Sequence, residues 1–254
     1  MIGGAAMLMA TGGAPAPNPY LVGCVGLWNL GGTLASAADL SGNGKTANIA
    51  DNGGGNIATT TLGGRAAVSA DGAATAARYN LGSIASSDPL SLVGASVATI
   101  IFRVAGPGAA LTTSFPRIID KSDGGLAQNG WAIWVNTTTF PARGIVWQIG
   151  GGSSMGSAAN AFETSSAAQT YGVEMRPTGA SASHRLYRGG ALIETITGTL
   201  ATPPTTTTNA ALLNWNHSTS RMWQGSADFV GVWTRELSAS EHAAIHADPS
   251  VLGI

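Results

Sequence analysis

Hydrophobic and polar positions alternate over short distances along almost the whole chain, and few stretches keep a helical period. Ser96–Val104 (SVATIIFRV) is apolar and β-branched, which predicts a central strand. Gly130–Val135 (GWAIWV) and Gly144–Ile149 (GIVWQI) predict paired strands around the loop Asn136–Arg143. Tyr20–Leu30, Ala66–Ala70, Arg78–Leu81, Arg117–Lys121, Gln169–Arg176, His184–Arg188 and Ala191–Thr197 read as further strands. Ala210–Asn216 and Met222–Gly225 lead into a last strand, Ala227–Trp233. Its alternation is loose, so both of its faces are expected to be at least partly buried. Gly31–Gly64, Gly106–Pro116, Gly150–Gly156 and Leu200–Thr208 are rich in Gly, Asn, Thr or Pro and read as connections. One helix is expected. Ser238 and Glu241 form a capping box at its start, and Pro249 bounds its end. Many short strands and a single helix predict an all-β fold, a two-sheet antiparallel sandwich with a short C-terminal helix.

Composition narrows the functional classes. Of 254 residues 44% are hydrophobic, enough for a sizeable core, but only 10% are charged against about 25% in ordinary domains. With 36 glycines and a formal net charge of −1, the surface is solvated by hydroxyls and amides, and association is favoured over repulsion. Of the 12 basic residues only Lys45 and Lys121 are lysines, and no basic run exists, which argues against nucleic acid as a partner. No stretch reads as a transmembrane segment. The one cysteine, Cys24, lies in an apolar run and is expected to be a buried small hydrophobe. The seven tryptophans fall almost entirely in predicted strands, which favours core positions over sugar stacking. Residues 1–19 form a Gly/Ala/Pro arm preceding one domain over 20–254. No Lys or Arg precedes the apolar patch Ala5–Ala10, unlike a signal peptide. The arm is therefore expected to stay on the chain and to rest on its own domain or a neighbouring subunit through Met7, Leu8 and Met9.

Three motifs carry a family resemblance. Gly225–Glu241 (GSADFVGVWTRELSASE) is similar to the closing strand and helix of the laminin-G-like, concanavalin A-like jelly rolls, matching at Gly225, Asp228, Val230, Val232, Trp233, Arg235, Leu237, Ser238 and Glu241. Gly26–Leu30 (GLWNL) with Ala38–Gly44 (ADLSGNG) resembles the first strand and loop of that family. Leu186–Ile193 (LYRGGALI) resembles its hairpin, with Gly189 and Gly190 as the turn. The resemblance implies a jelly roll but not a function, because the fold hosts lectins, hydrolases and structural modules. Stand-alone chains with this ending are familiar among bacteriophage structural proteins. The expectation is thus a non-enzymatic virion protein, a capsid decoration or other particle-surface component, contacting other virion proteins or its own copies. The alternative is a carbohydrate-binding adhesion module for host attachment.

Candidate chemistry is sparse. Asp39, Ser41 and Asn43 alternate in a glycine-containing loop, and relatives hold Ca²⁺ with such a loop and an Asp near the last strand, here Asp228; the favoured reading is that Asp39 and Asn43 cap their own turn. No other cofactor is expected. A glycosidase needs two carboxylates about 5–10 Å apart, and none of the five glutamates sits in an E-x-D-x-x-E motif, so catalysis is not expected. His242 and His246 are spaced i, i+4 on the helix but lack an H-E-x-x-H order and are expected at its rim. For a glycan or a protein partner the loops offer Asn136, Arg143, Trp215, His217 and Arg221, amide and guanidinium donors beside an aromatic ring.

Overall fold

The computed structural model of the chain describes residues 17–53, 55–73, 77–109, 111–123, 129–137, 143–150, 153–158, 160–215 and 221–254. The strands in the first half are β1 (Cys24–Asn29), β2 (Ser36–Ala37), β3 (Ala47–Ala50), β4 (Ile57–Leu62), β5 (Arg65–Asp71), β6 (Arg78–Ile84), β7 (Ala98–Ala105) and β8 (Arg117–Lys121). The second half adds β9 (Trp131–Val135), β10 (Ile145–Ile149), β11 (Ser153–Gly156), β12 (Gln169–Met175), β13 (Ser181–Arg188), β14 (Ala191–Thr199), β15 (Thr208–Leu212) and β16 (Gln224–Trp233), then the helix α1 (Ala239–Ala247). They make two antiparallel sheets. Sheet A runs β14-β13-β12-β7-β16-β5-β4, with β1 also on β16; sheet B runs β11-β10-β9-β8-β15-β6-β3-β2. The jelly-roll β-sandwich is the architecture that the strand pattern predicts.

The main core lies between the sheets. Its large side chains are Trp28, Trp131, Trp147, Trp223, Phe102, Phe162 and Tyr171. A second core covers the outer face of sheet A, where α1 and the C-terminal turn bring Leu237, Ile245 and Leu252 onto Leu27, Ile101, Phe229 and Trp233. Burying one such side chain contributes about 1.5–3 kcal/mol. All seven tryptophans are buried, Trp215 the most accessible at 9%. The loose alternation of the last strand has a specific cause. A register shift between Ala227 and Phe229 places Asp228 in a bulge. Ala227, Val230 and Val232 then face the inter-sheet core, and Phe229 and Trp233 face the helix.

Local signals hold where the chemistry is short-range. Ser238 and Glu241 form the capping box from both sides. Gly189 and Gly190, at φ 60° and 78°, turn β13 into β14. Asn18 caps a 3₁₀ turn at Pro19–Leu21 and donates to the Val251 carbonyl, tying this turn to the C-terminal one. The stretch 31–64 is not one loop: it holds β2, β3 and β4. These strands lie at or near sheet edges, where only one face needs apolar residues, and β4 buries just Ile57 and Leu62 of IATTTL. Likewise 150–156 contains β11, the edge of sheet B.

Candidate functional site

One end of sheet B gathers unusual groups. Antiparallel pairing brings the starts of β8 and β10 to the ends of β9, β11 and β15. Backbone bonds knit the loops there: Val135 N–H donates to Pro116 O (3.1 Å), Arg117 N–H to Arg221 O (3.0 Å), and Asn136 N–H to Gly144 O (2.8 Å). Among the described residues, six non-glycines have positive φ. Four of them, Phe115 (53°), Arg143 (60°), Asn160 (63°) and Leu213 (63°), sit at this end. Such residues cost on the order of 1–3 kcal/mol each and persist where the surroundings over-determine them, typically at ligand sites.

Cations and rings interleave here. The Arg221 guanidinium lies 4.9 Å from the Trp215 ring centroid and 5.2 Å from that of Phe115. The Arg117 guanidinium lies 4.2 Å above Trp134 and 3.1 Å from Asp120, and both members of that pair are fully buried. Residues three apart in a regular strand point to opposite faces. A register shift between Arg117 and Ile119 puts Arg117 and Asp120 on one face. Directly across the strands lie Ala132 and Gln148 beside Asp120, and Trp134 and Val146 beside Arg117. Burial lowers Arg117 to about 10, with Asp120 raising it and Arg221 lowering it further, so it stays charged at neutral pH. Burial also lowers Arg221, against the pull of the same Asp120.

The structure thus joins Trp215 and Arg221 directly, whereas Asn136 exchanges backbone bonds with Gly144 and Arg143, and its neighbour Val135 bonds the 115–117 loop. Arg143 reaches the other way, to the Asn160 side-chain oxygen. His217 and the arm contacts Met7, Leu8 and Met9 lie outside the described residues. The sequence reading missed Phe115, Arg117, Asp120 and Trp134. Their convergence depends on a bulge that no pattern announces.

The four residues expected to hold Ca²⁺ do not fit it. Asp39 Oδ1 accepts from Leu27 N–H, Ser41 N–H and Ser41 Oγ–H, and its Oδ2 from Lys45 N–H, so the carboxylate caps its own turn. Asn43 Nδ2 donates to Ser41 Oγ and Cys24 O. Asp228 is ion-paired with Arg103 and, at 3.2 Å, with Arg65, and two guanidinium groups are the wrong neighbours for a dication. Among the described residues no cluster of three His, Cys, Asp or Glu has metal-binding geometry.

The helix histidines also differ from expectation. His242 is 2% exposed and stacks on Tyr187, ring centroids 3.7 Å apart. It fits because Gly172, beneath it, has no Cβ; one added there would sit 2.5 Å from His242 Cε1. His246 Nδ1 meets Thr170 Oγ1 at 3.3 Å. The glutamates are all engaged. Glu174 is buried 2.6 Å from Arg176. Glu236 bridges Arg176 and Arg185. Glu163 pairs with Arg188, Glu241 with Arg235, and Glu194 accepts from Ala158 N–H.

No protein-family model matches the sequence, and no curated protein matches it. Solved structures do. Domain 4 of the extracellular arabinanase AbnA from Geobacillus stearothermophilus, in complex with arabinotriose, aligns with a TM-score of 0.61 at 14% identity, over 88% of this chain and 98% of that one. A structure of botulinum neurotoxin type C, whose cell entry is dependent upon interaction with two ganglioside molecules, aligns with a TM-score of 0.56 at 11% identity, over 90% of this chain and 51% of that one. Trypanosoma rangeli sialidase in complex with sialic acid aligns with a TM-score of 0.58 at 13% identity, over 91% of this chain and 34% of that one. The chain therefore spans about half of the toxin structure and a third of the sialidase. At these identities the likeness establishes a shared jelly-roll sandwich.

Proposed function

We propose that this chain is a non-catalytic carbohydrate-binding module that holds a glycan at the loop end of sheet B. The observation that carries the reading is the braced Arg221, between Trp215 and Phe115, with Arg143, Asn160 and Asn136 on adjoining loops. Rigid donors in a strained loop cluster are what a sugar's hydroxyls and ring substituents require. Similarly folded domains with arabinotriose or a ganglioside dependence support the reading by analogy of architecture. A non-catalytic role accords with the glutamates, each committed to an ion pair, a cap or a backbone donor. The test is a glycan array probed with the wild-type chain and with Arg221→Ala. Saturable binding that is lost in the variant, with an unchanged melting temperature, is expected. Absence of binding to any glycan at millimolar concentration refutes the module.

A second reading, a virion-surface protein that displays such a module, rests on the family resemblance and the 1–19 arm. Its favouring observation is Asn18, which anchors the root of the arm to the C-terminal turn and so gives the arm a fixed point of departure. The solution mass of the full chain against a chain starting at Pro19 tests it. Self-association that disappears with the arm supports an assembly role, and two identical monomers count against one.

A further inference from the structure

We infer that the glycan gripped by this site is acidic, bearing a carboxylate or sulfate group that Arg143 and Arg221 neutralise. The inference rests on the carbohydrate reading and sharpens it. The chain has few charges, and nine of its twelve cations lie within ion-pair distance of a carboxylate, Lys45 with Asp88 among them. All 13 acidic residues lie among the described ones. Arg65, Arg78, Arg103, Arg117, Arg176, Arg185, Arg188 and Arg235 each lie within ion-pair distance of a carboxylate. The two arginines with no carboxylate within ion-pair distance are Arg143 and Arg221, and both are half-buried at the same end of sheet B. No undescribed segment can supply the missing charge, because none contains Asp or Glu.

The deficit extends inward. Asp120 is ion-paired with Arg117 at 3.1 Å and also acts electrostatically on Arg221. Arg117 is fully buried, and its Nη1 and Nη2 have no hydrogen-bond partner among the described residues; nor has Gln148 Oε1 on the same face. A buried guanidinium with idle N–H groups, beside a second cation, favours an incoming anion. A planar fork also suits the two oxygens of a carboxylate or sulfate. The aromatic rings point the same way. Neutral sugars are held largely on exposed ring faces, but Trp134 and Trp215 are at most 9% exposed, and each already faces a guanidinium. What remains for a ligand is charge and hydrogen bonding.

Three matched pairs test this: polygalacturonate against its full methyl ester, sialyllactose against lactose, and a sulfated galactan against its desulfated form. Binding is measured calorimetrically at low and high salt, with polyglutamate as a non-sugar polyanion. The acidic member of at least one pair is expected to bind about tenfold or more tighter, which is about 1.4 kcal/mol. The advantage is expected to shrink with salt and to vanish in the double variant R143Q/R221Q at unchanged melting temperature. The uronate and sialyl arms against the galactan arm tell carboxylate from sulfate. Equal binding of the neutral members overturns the inference and leaves the module standing. Equal binding of polyglutamate, or an acidic preference that survives in R143Q/R221Q, also overturns it. If no member of any pair binds while the array reports other ligands, this inference alone falls; if the array is blank too, both readings fall.

Discussion

His242 makes the fold sensitive to mild acid, and the size of the effect can be worked from its surroundings. The ring is 2% exposed, stacked on Tyr187 with planes 10° apart, and its Nε2 has no hydrogen-bond partner among the described residues. Burial drives its pKa from 6.5 down to about 4, although Glu241 and Glu236 pull upward. Between those values the unfolded chain binds a proton that the folded chain refuses. Stability therefore rises with pH through that window, is complete above about 6.5, and is lost as pH falls toward 4. Going from about pH 7.5 to about pH 5 protonates this histidine in nearly all unfolded chains and few folded ones, a loss of about 2 kcal/mol. His184 and His246 are also lowered by burial and act in the same direction, so the wild-type slope alone does not isolate His242. His242→Phe keeps a ring against Tyr187 and removes the titration. Urea unfolding at both pH values is expected to show a wild-type loss exceeding that of the variant by about 2 kcal/mol. Equal losses, or a His242 imidazole resonance titrating near 6.5 in the folded protein, would refute the reasoning.

The geometry sets three other outcomes. Asp228→Asn leaves Arg103 and Arg65 without their carboxylate and is expected to cost about 3–5 kcal/mol, seen as a lower urea midpoint at unchanged slope; a cost under about 1 kcal/mol would mean that the bulge is held by something else. Gly190→Ala forces a methyl into φ 78° and to 2.8 Å from Ala243 Cα, so a loss of about 1–3 kcal/mol is expected, with near-ultraviolet dichroism showing the helix displaced from the β13–β14 turn. Chelation by EDTA is expected to leave the melting temperature unchanged, since the Asp39 and Asp228 carboxylates are held by protein donors; a clear drop would restore a structural cation.

What was legible in the sequence is the chemistry that acts over a few residues. The capping box at Ser238, the glycine turn after Arg188 and the apolar runs of β7, β9 and β10 each declare themselves locally, and together they give the sandwich. Edge strands do not, because IATTTL needs only two inward side chains and reads as a polar loop. Burial of polar residues is also silent. Glu174 and His242 look like surface residues until Arg176, Arg185 and Tyr187 are seen against them. At the candidate site Trp215, Arg221, Asn136 and Arg143 were visible as donors beside a ring. Arg117 and Asp120 were not, because an undisturbed strand would hold them on opposite faces. The choice between a calcium site and a turn cap at Asp39 was not legible for a related reason: spacing shows that oxygens are near one another, not that backbone N–H groups already occupy them.

Strand β16 sets the order in which this molecule can assemble. It follows all fifteen other strands in the chain, yet it sits inside sheet A, with β7 along one side and β5 and β1 sharing the other. Until residues 224–233 leave the ribosome, β1 and β5 have no neighbour on that side, and the two cores that β16 helps to build stay open. The sandwich is thus completed only once residues 224–233 are made, through contacts between distant parts of the chain, which makes folding slow and leaves unpaired strands exposed in the meantime. A chain ending at residue 223 would keep Trp215 and Arg221 and still have no scaffold to hold them.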